Sequence, residues 1–391
     1  MIQLAVPNLA GNEEKYLSDC VTSTFVSSVG PYVTKFEEMV AAAAGAPYAV
    51  ATSAGTTALH AALLTVGVKH NDLVICPALT FIASANAISH CGATPWLFDV
   101  DRDSWTLDAR QVGEQIAKNT EIRAGERIHI PSGRRVSAIV PVFTLGIPAD
   151  MDAIIQVAKN SGLPVVVDGA AALGATYKAH RSGALGADFT MYSFNGNKTV
   201  TAGGGGAVAC FSKDLMQAFR HLTTTARVGT DYDHDVVGYN YRMTNLQAAV
   251  GCAQLEQLDA FVAAKRRIAA TYQEAFQDIS GVEAFPDPSW GESAAWFSGF
   301  YFDSPDGGGK GARLRQALRE RNIDARPFWK PMHLQAPYKD APRAALPVSE
   351  YLWDKIVTLP CSTNLTSDDQ AYVVDEVHAW SRAHALCSVP S

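Results

Sequence analysis

The sequence lacks several features that would place it in a class at once. No segment reaches the ~18 uninterrupted apolar residues of a membrane-spanning helix. The opening stretch, Met-Ile-Gln-Leu-Ala-Val-Pro-Asn, has no basic patch ahead of an apolar run. The polar residues Asn12, Glu13, Glu14 and Lys15 arrive too early for a signal peptide. Seven cysteines are present: Cys20, Cys76, Cys91, Cys210, Cys252, Cys361 and Cys387. Their number is odd and none are spaced Cys-x-x-Cys, so reduced thiols in a cytoplasmic protein are expected. No block of five or six like charges occurs and the net charge is −7, so nothing is built to neutralise a nucleic-acid backbone. Internal repeats and low-complexity linkers are absent as well.

What remains is a globular composition. Of 391 residues, 48% are apolar and 18% charged, which supports a substantial core and argues against disorder. The length exceeds one ordinary core and fits a large domain plus a smaller one. From about residue 32 helical and strand patterns alternate. Helices are expected over Tyr32–Ala44, Thr56–Val66, Phe81–His90 and Asp150–Asn160. Strands are expected over Tyr48–Thr52, Leu73–Cys76, Thr94–Asp99, Val136–Val142 and Phe189–Ser193. Pro164 to Asp168 holds three consecutive valines, a strand buried on both faces. The polar stretch Asn119–Arg135 reads as a surface excursion, a hairpin. Such alternation implies a mostly parallel sheet covered by helices, with ligands beyond the carboxyl ends of its strands. A long helix is predicted from Thr244 to about Phe276, leading out of the large domain. After it come a strand at Phe297–Phe302 and a terminal helix over Asp368–Ala385. The boundary falls near residue 255, giving domains 1–255 and 256–391.

Four segments could carry chemistry. Asp168 closes the valine run, where an acid can reach a ligand; capping a helix is the alternative. Lys198 follows the strand at Phe189–Ser193, in a polar loop ahead of Gly203-Gly204-Gly205-Gly206. A lysine there can form a Schiff base if its amine is desolvated; the ordinary alternative is a solvated surface lysine. Four glycines in a row are entropically costly and make sense where backbone approaches a ligand or another chain. Thr52-Ser53-Ala54-Gly55-Thr56-Thr57 joins a strand to a helix, an anion site if the backbone N–H groups are open and mere capping by Ser53 or Thr56 if not. Phe81, just past a strand end, is placed to cover a flat ring or to fill the core. Anion loop, aromatic, strand-end acid and loop lysine together match the order of a pyridoxal phosphate site, where a lysine is opposed by an acid on the pyridinium nitrogen.

With these residues in view, the chain resembles the DegT/DnrJ/StrS family of sugar aminotransferases nearly end to end. The likeness is carried by Phe25-Val26-Ser27-Ser28-Val29-Gly30, Ala54-Gly55-Thr56-Thr57-Ala58-Leu59-His60 and Pro148-Ala149-Asp150-Met151. It continues in Ser193-Phe194-Asn195-Gly196-Asn197-Lys198 and Gly238-Tyr239-Asn240-Tyr241-Arg242-Met243-Thr244-Asn245. Arg326-Pro327-Phe328-Trp329-Lys330-Pro331 and Leu346-Pro347-Val348-Ser349-Glu350 complete it. The Asn-Gly-Asn-Lys form is most similar to the branch that aminates C4 of UDP-linked 4-keto-6-deoxy-N-acetylhexosamines.

The resemblance implies an α/β type I fold, aspartate aminotransferase-like, with a mostly parallel large domain and a smaller C-terminal α+β domain. It implies pyridoxal 5'-phosphate as cofactor, L-glutamate as amino donor and a nucleotide-linked keto sugar as acceptor, with no metal. Lys198 would carry the cofactor and move the proton, and Asp168 would pair with the ring nitrogen. Phe81 would cover the ring, and Gly55, Thr56 and Ser193 would hold the phosphate. Asn240 would reach the phosphate of a neighbouring subunit, making a homodimer with shared active sites. Lys330 and His333 are the candidates for the sugar-nucleotide side. Two departures bear on substrate choice: Ala171 stands, three residues after the aspartate, where the family usually has Gln, His or Glu, and Phe143 and Leu145 stand where it often has His and Tyr. A sugar dehydratase of the same fold is the alternative enzyme, but relatives with that chemistry carry histidine in place of the lysine. A non-catalytic sugar-nucleotide sensor is the alternative outside enzymes.

Overall fold

A computed structural model of the chain describes residues 1–384 and 386. Cys387 and Ala385, the expected end of the last helix, lie outside the described residues. The other six cysteines are free and buried.

Local sequence signals set the element ends. The helix Pro31–Ala44 opens on proline, whose missing N–H costs nothing at the first position, and stops at Gly45 with φ 70°. The helix Gly55–Thr65 follows the strand Tyr48–Thr52 directly. Asp150 caps the helix Met151–Ser161, its carboxylate accepting from the Ala153 N–H.

The central sheet runs, in spatial order, Tyr48–Thr52, Gly206–Cys210, Phe189–Ser193 and Val166–Asp168. Parallel bridges Ile139–Val165 and Val142–Asp168 carry it on to Arg134–Ile139, Leu73–Pro77 and Thr94–Phe98. Gly206–Cys210 pairs antiparallel with both neighbours, while the remaining pairings are parallel. Alternate residues of one strand serve opposite faces. Leu73 and Ile75 pack with Val112, Ile116 and Ile154, whereas Val74 and Cys76 pack with Ala58, Leu63 and Ile88. Burial on both faces is what a Val-Val-Val strand requires. The polar excursion forms a hairpin, Thr120–Arg123 with Glu126–His129, that continues antiparallel onto Arg134.

The long helix expected from Thr244 to Phe276 is two helices, Asn245–Leu255 and Leu258–Phe276, broken at Gln257 (φ −104°, ψ 2°). The first packs on Pro31–Ala44. At its end the Glu256 carboxylate accepts from Tyr16 Oη and Asn12 Nδ2 and pairs with Lys35 at 3.0 Å. Apolar spacing continues across the break, so periodicity alone does not reveal a turn confined to two residues. The second helix leads to an antiparallel sheet ordered Val282–Ala284, Ser298–Phe302, Ile356–Leu359, Arg326–Pro327. This sheet is backed by Gly307–Glu320 and Ser367–Ala383. The beginning of the chain returns to it: Ile2 bridges Ile323, and the Cys361 N–H donates to the Leu4 carbonyl.

Candidate active site

The strands Tyr48–Thr52, Val166–Asp168 and Phe189–Ser193 all end at one edge of the sheet, where a cavity of about 590 Å³ opens. Gly55, Thr56, Phe81, Asp168, Ser193 and Lys198 line it together, so six of the residues singled out in the sequence converge. The side chains of Trp296, Phe297, Arg326, Phe328 and Trp329 form its other wall. Its charged lining residues are Asp168, Lys198 and Arg326.

Asp168 is 5% exposed and held from two sides. The Ser84 hydroxyl donates to its Oδ2 at 2.7 Å and the Ala170 N–H to its Oδ1 at 3.1 Å. No helix follows it, which removes the capping alternative. Burial pushes its carboxyl above the usual carboxylate range, while Ser84, Ala170 and Lys198 favour the charged form. Burial pulls the Lys198 amine down to about 7, against the attraction of Asp168. A lysine poised near neutrality can act as a base at physiological pH, which a solvated lysine cannot. Its Nζ lies 3.4 Å from the centroid of the Trp296 ring.

At the other end of the cavity the helix Gly55–Thr65 starts with no side-chain cap. Neither Ser53 nor Thr56 caps it, and the Thr57 hydroxyl donates to the Ala54 carbonyl at 2.8 Å. The first N–H groups therefore face the cavity edge with the positive end of the helix dipole, a ready anion site. The glycine run has a structural reason. A Cβ on Gly206 would lie 2.5 Å from the Ala54 carbonyl and the Gly55 nitrogen, so this strand passes directly under the anion loop. Gly204 and Gly205 line the cavity.

Phe81 is 53% exposed at the rim, 5.8 Å from Trp329. Three expected residues stand elsewhere. Lys330 is exposed and absent from the lining. His333 is buried within the short helix Met332–Leu334, its Nε2 paired with Glu350 at 3.0 Å, and also does not line the cavity. The Arg326–Trp329 part of that segment faces the site instead, because the chain turns away into the short helix Met332–Leu334. Asn240 lies exposed, off its own chain's cavity. Of the departures, Ala171 and Phe143 line the cavity, and Leu145 shares a hydrophobic cluster with Ala171 and Trp296. Ser84 and Trp296 were not singled out in the sequence. Ser84 sits one helical turn past Thr80, whose hydroxyl it meets at 2.9 Å, but nothing local marks it as a partner of Asp168. Trp296 comes from a sequence-distant loop.

The fold is that of a type I pyridoxal phosphate enzyme, and a strand-end carboxylate, a half-buried amine and an uncapped helix start around one cavity fit that cofactor. The chain belongs to the DegT/DnrJ/EryC1/StrS aminotransferase family, which matches residues 7–378. It is 36% identical over 376 residues to a GDP-perosamine synthase of Caulobacter vibrioides, covering 94% of this chain and 95% of that protein. It is also 36% identical over 373 residues to the GDP-perosamine synthase of Escherichia coli O157:H7, covering 95% and 96%. Among solved structures, DesV of S. venezuelae aligns with a TM-score of 0.83 at 29% identity, over 95% and 94% of the two chains. A family member from Brucella abortus aligns with 0.84 at 28%, over 95% of each. The family fixes the cofactor as pyridoxal phosphate.

Proposed function

We propose that this chain transfers the amino group of L-glutamate to a nucleotide-linked keto sugar. The observation that supports it most is the pairing, in one cavity, of a buried carboxylate with an amine poised near neutrality. Bound pyridoxal phosphate would supply a ring that accepts the electron pair left when a proton leaves carbon. Asp168 would keep the ring nitrogen protonated, with Ser84 and Ala170 holding the carboxylate in place. Lys198 would carry the cofactor and, once freed, take a proton at Nζ and return it. Gly55, Thr56 and Ser193 would hold the phosphate, and Phe81 would cover the ring. Asn240, exposed and off its own cavity, would complete the phosphate site of a second copy in a homodimer. The division at residue 255 would set a cofactor-binding unit against a smaller unit that bears the aromatic wall. No helix among the described residues is long and apolar enough to cross a membrane, and a cytoplasmic enzyme is the setting we favour.

The nucleotide has two readings. The Asn195–Lys198 form favours a UDP-linked 4-keto-6-deoxy-N-acetylhexosamine aminated at C4. The relatives named GDP-perosamine synthase favour a GDP-linked sugar. Incubation with glutamate and a panel of UDP-, dTDP- and GDP-linked keto sugars, with products identified by NMR, separates them. Absence of an amino sugar from every member would overturn the proposal.

A further inference from the structure

Lys198 Nζ rests 3.4 Å from the centroid of the Trp296 ring, the shortest cation–ring contact among the described residues. The indole is fixed by more than packing. Its Nε1–H donates to the Asn197 carbonyl at 2.7 Å, which ties the ring to the backbone just ahead of the lysine. Its own backbone is held from both units. The Trp296 N–H donates to the Leu145 carbonyl at 3.1 Å, and its carbonyl accepts from Lys265 Nζ at 2.9 Å. Ala295 before it takes φ 48°, a left-handed conformation a non-glycine residue adopts only when its surroundings dictate it. Phe297 stacks on the ring with centroids 3.9 Å apart, and Trp296 is only 4% exposed.

This rigid placement matters because, among the described residues, Asp168 and Arg326 are the only other charged groups that line the cavity. Phe143 and Ala171 line the cavity, and Ala171 and Leu145 pack in the same cluster as Trp296. Asp168 acts on the amine through space rather than by a hydrogen bond. The other charged group facing the cavity, Arg326, repels an ammonium and is itself paired with Asp324. We propose that Trp296 is a positioning residue for Lys198: its ring face holds the ammonium form of the lysine once Nζ has taken up a proton. The proposal rests on reading Lys198 as the amine that carries the cofactor and moves the proton. No bond forms to the indole; Nζ gains one proton and one positive charge, and the negative face of the ring stabilises that charge. A desolvated contact of this kind is expected to raise the proton affinity of the amine about threefold to thirtyfold, a midpoint change of roughly 0.5 to 1.5 pH units.

The test is competitive acylation of Lys198 as a function of pH, read by peptide mass spectrometry on the full-length chain freed of pyridoxal phosphate. In Trp296→Leu the charged form loses its partner, so the labelling midpoint is expected to move to lower pH by that amount. Trp296→Phe, which keeps a less electron-rich ring, is expected to move it in the same direction by less, and it serves if the leucine variant does not fold. The acidic limb of the kcat profile, which reports groups of the bound complex, should move likewise, whereas loose packing would lower the whole profile without shifting the limb. A midpoint unchanged or raised in the folded variants overturns the proposal. Borohydride reduction of the wild-type holoenzyme with peptide mapping is the separate check on the underlying reading. Cofactor mass on a residue other than Lys198 sinks that reading, whatever the labelling shows.

Discussion

The cavity wall that rises from the parallel sheet carries backbone N–H groups, hydroxyls, one carboxylate and one amine. The wall contributed by the antiparallel sheet carries Trp296, Phe297, Phe328 and Trp329, with Arg326 as its charge. The first wall stands at strand ends inside a sheet packed on both faces. The second is a pile of rings, with Phe328 and Trp329 stacked at 4.4 Å and Trp296 at 6.0 Å from Trp329. The contrast separates two tasks. Proton transfer needs groups fixed by a rigid scaffold. A ring-shaped acceptor needs flat apolar area, which aromatic side chains supply at low entropic cost. Substitutions on the first wall should therefore strike both halves of the reaction, and those on the second, apart from Trp296 beside Lys198, should strike one.

The largest effect is expected at Lys198. Lys198→Arg keeps the charge but cannot act as a base near neutrality. Turnover should fall by about four orders of magnitude or more, each factor of ten being ~1.4 kcal/mol of barrier. The visible band bleached by borohydride should vanish with it. Turnover near wild type would remove Lys198 from the chemistry. Asp168→Asn comes next, with a loss of about a thousandfold in both half-reactions, read by stopped-flow absorbance. Burial already disfavours the Asp168 charge, so the neutral amide should leave thermal stability unchanged or raised. A lower melting temperature would assign the aspartate a structural task instead.

These residues were legible because each belongs to a contiguous pattern with a local cause. Asp168 ends a β-branched run, Gly55 and Thr56 start a helix after a strand, and Lys198 follows a strand in a polar loop. The second wall was not legible in the same way. Trp296 meets the Asn197–Lys198 stretch across almost a hundred positions of chain, through a hydrogen bond from its indole to the Asn197 carbonyl and a cation–ring contact with Lys198. No spacing rule encodes such a contact. His333 shows the converse case. A histidine in a matching motif reads as a ligand group, yet the turn into Met332–Leu334 buries it against Glu350. The helix break at Gln257 leaves no mark in the sequence pattern, because a two-residue departure keeps the apolar period intact.

A smaller effect sharpens the account of the first wall. Gly206→Ala would put a Cβ 2.5 Å from backbone atoms of Ala54 and Gly55, which have no flexible end to yield. A cost of about 1–3 kcal/mol is expected, together with weaker cofactor retention, since the strain falls on the anion loop. Gly203 provides the control, because nothing lies within 4 Å of a Cβ there and only its φ of 74° resists alanine. Thermal denaturation and equilibrium dialysis against pyridoxal phosphate would compare the two. Equal loss in both variants would mean that the glycine run serves turn geometry rather than the loop above it.

The smallest expected effect distinguishes the walls most sharply. Trp329 faces the cavity 5.8 Å from Phe81, so one ring from each wall flanks its mouth. Trp329→Ala removes flat apolar area without touching Asp168, Lys198 or the open helix start. The half-reaction with glutamate should stay within about twofold of wild type, while kcat/KM for the keto sugar falls about tenfold, or ~1.4 kcal/mol. An equal loss in both half-reactions would show that the aromatic wall supports the cofactor side, and the division of labour between the walls would not stand. Selective loss with the sugar would place acceptor recognition on the antiparallel sheet, where Ala171 leaves the neighbouring lining apolar.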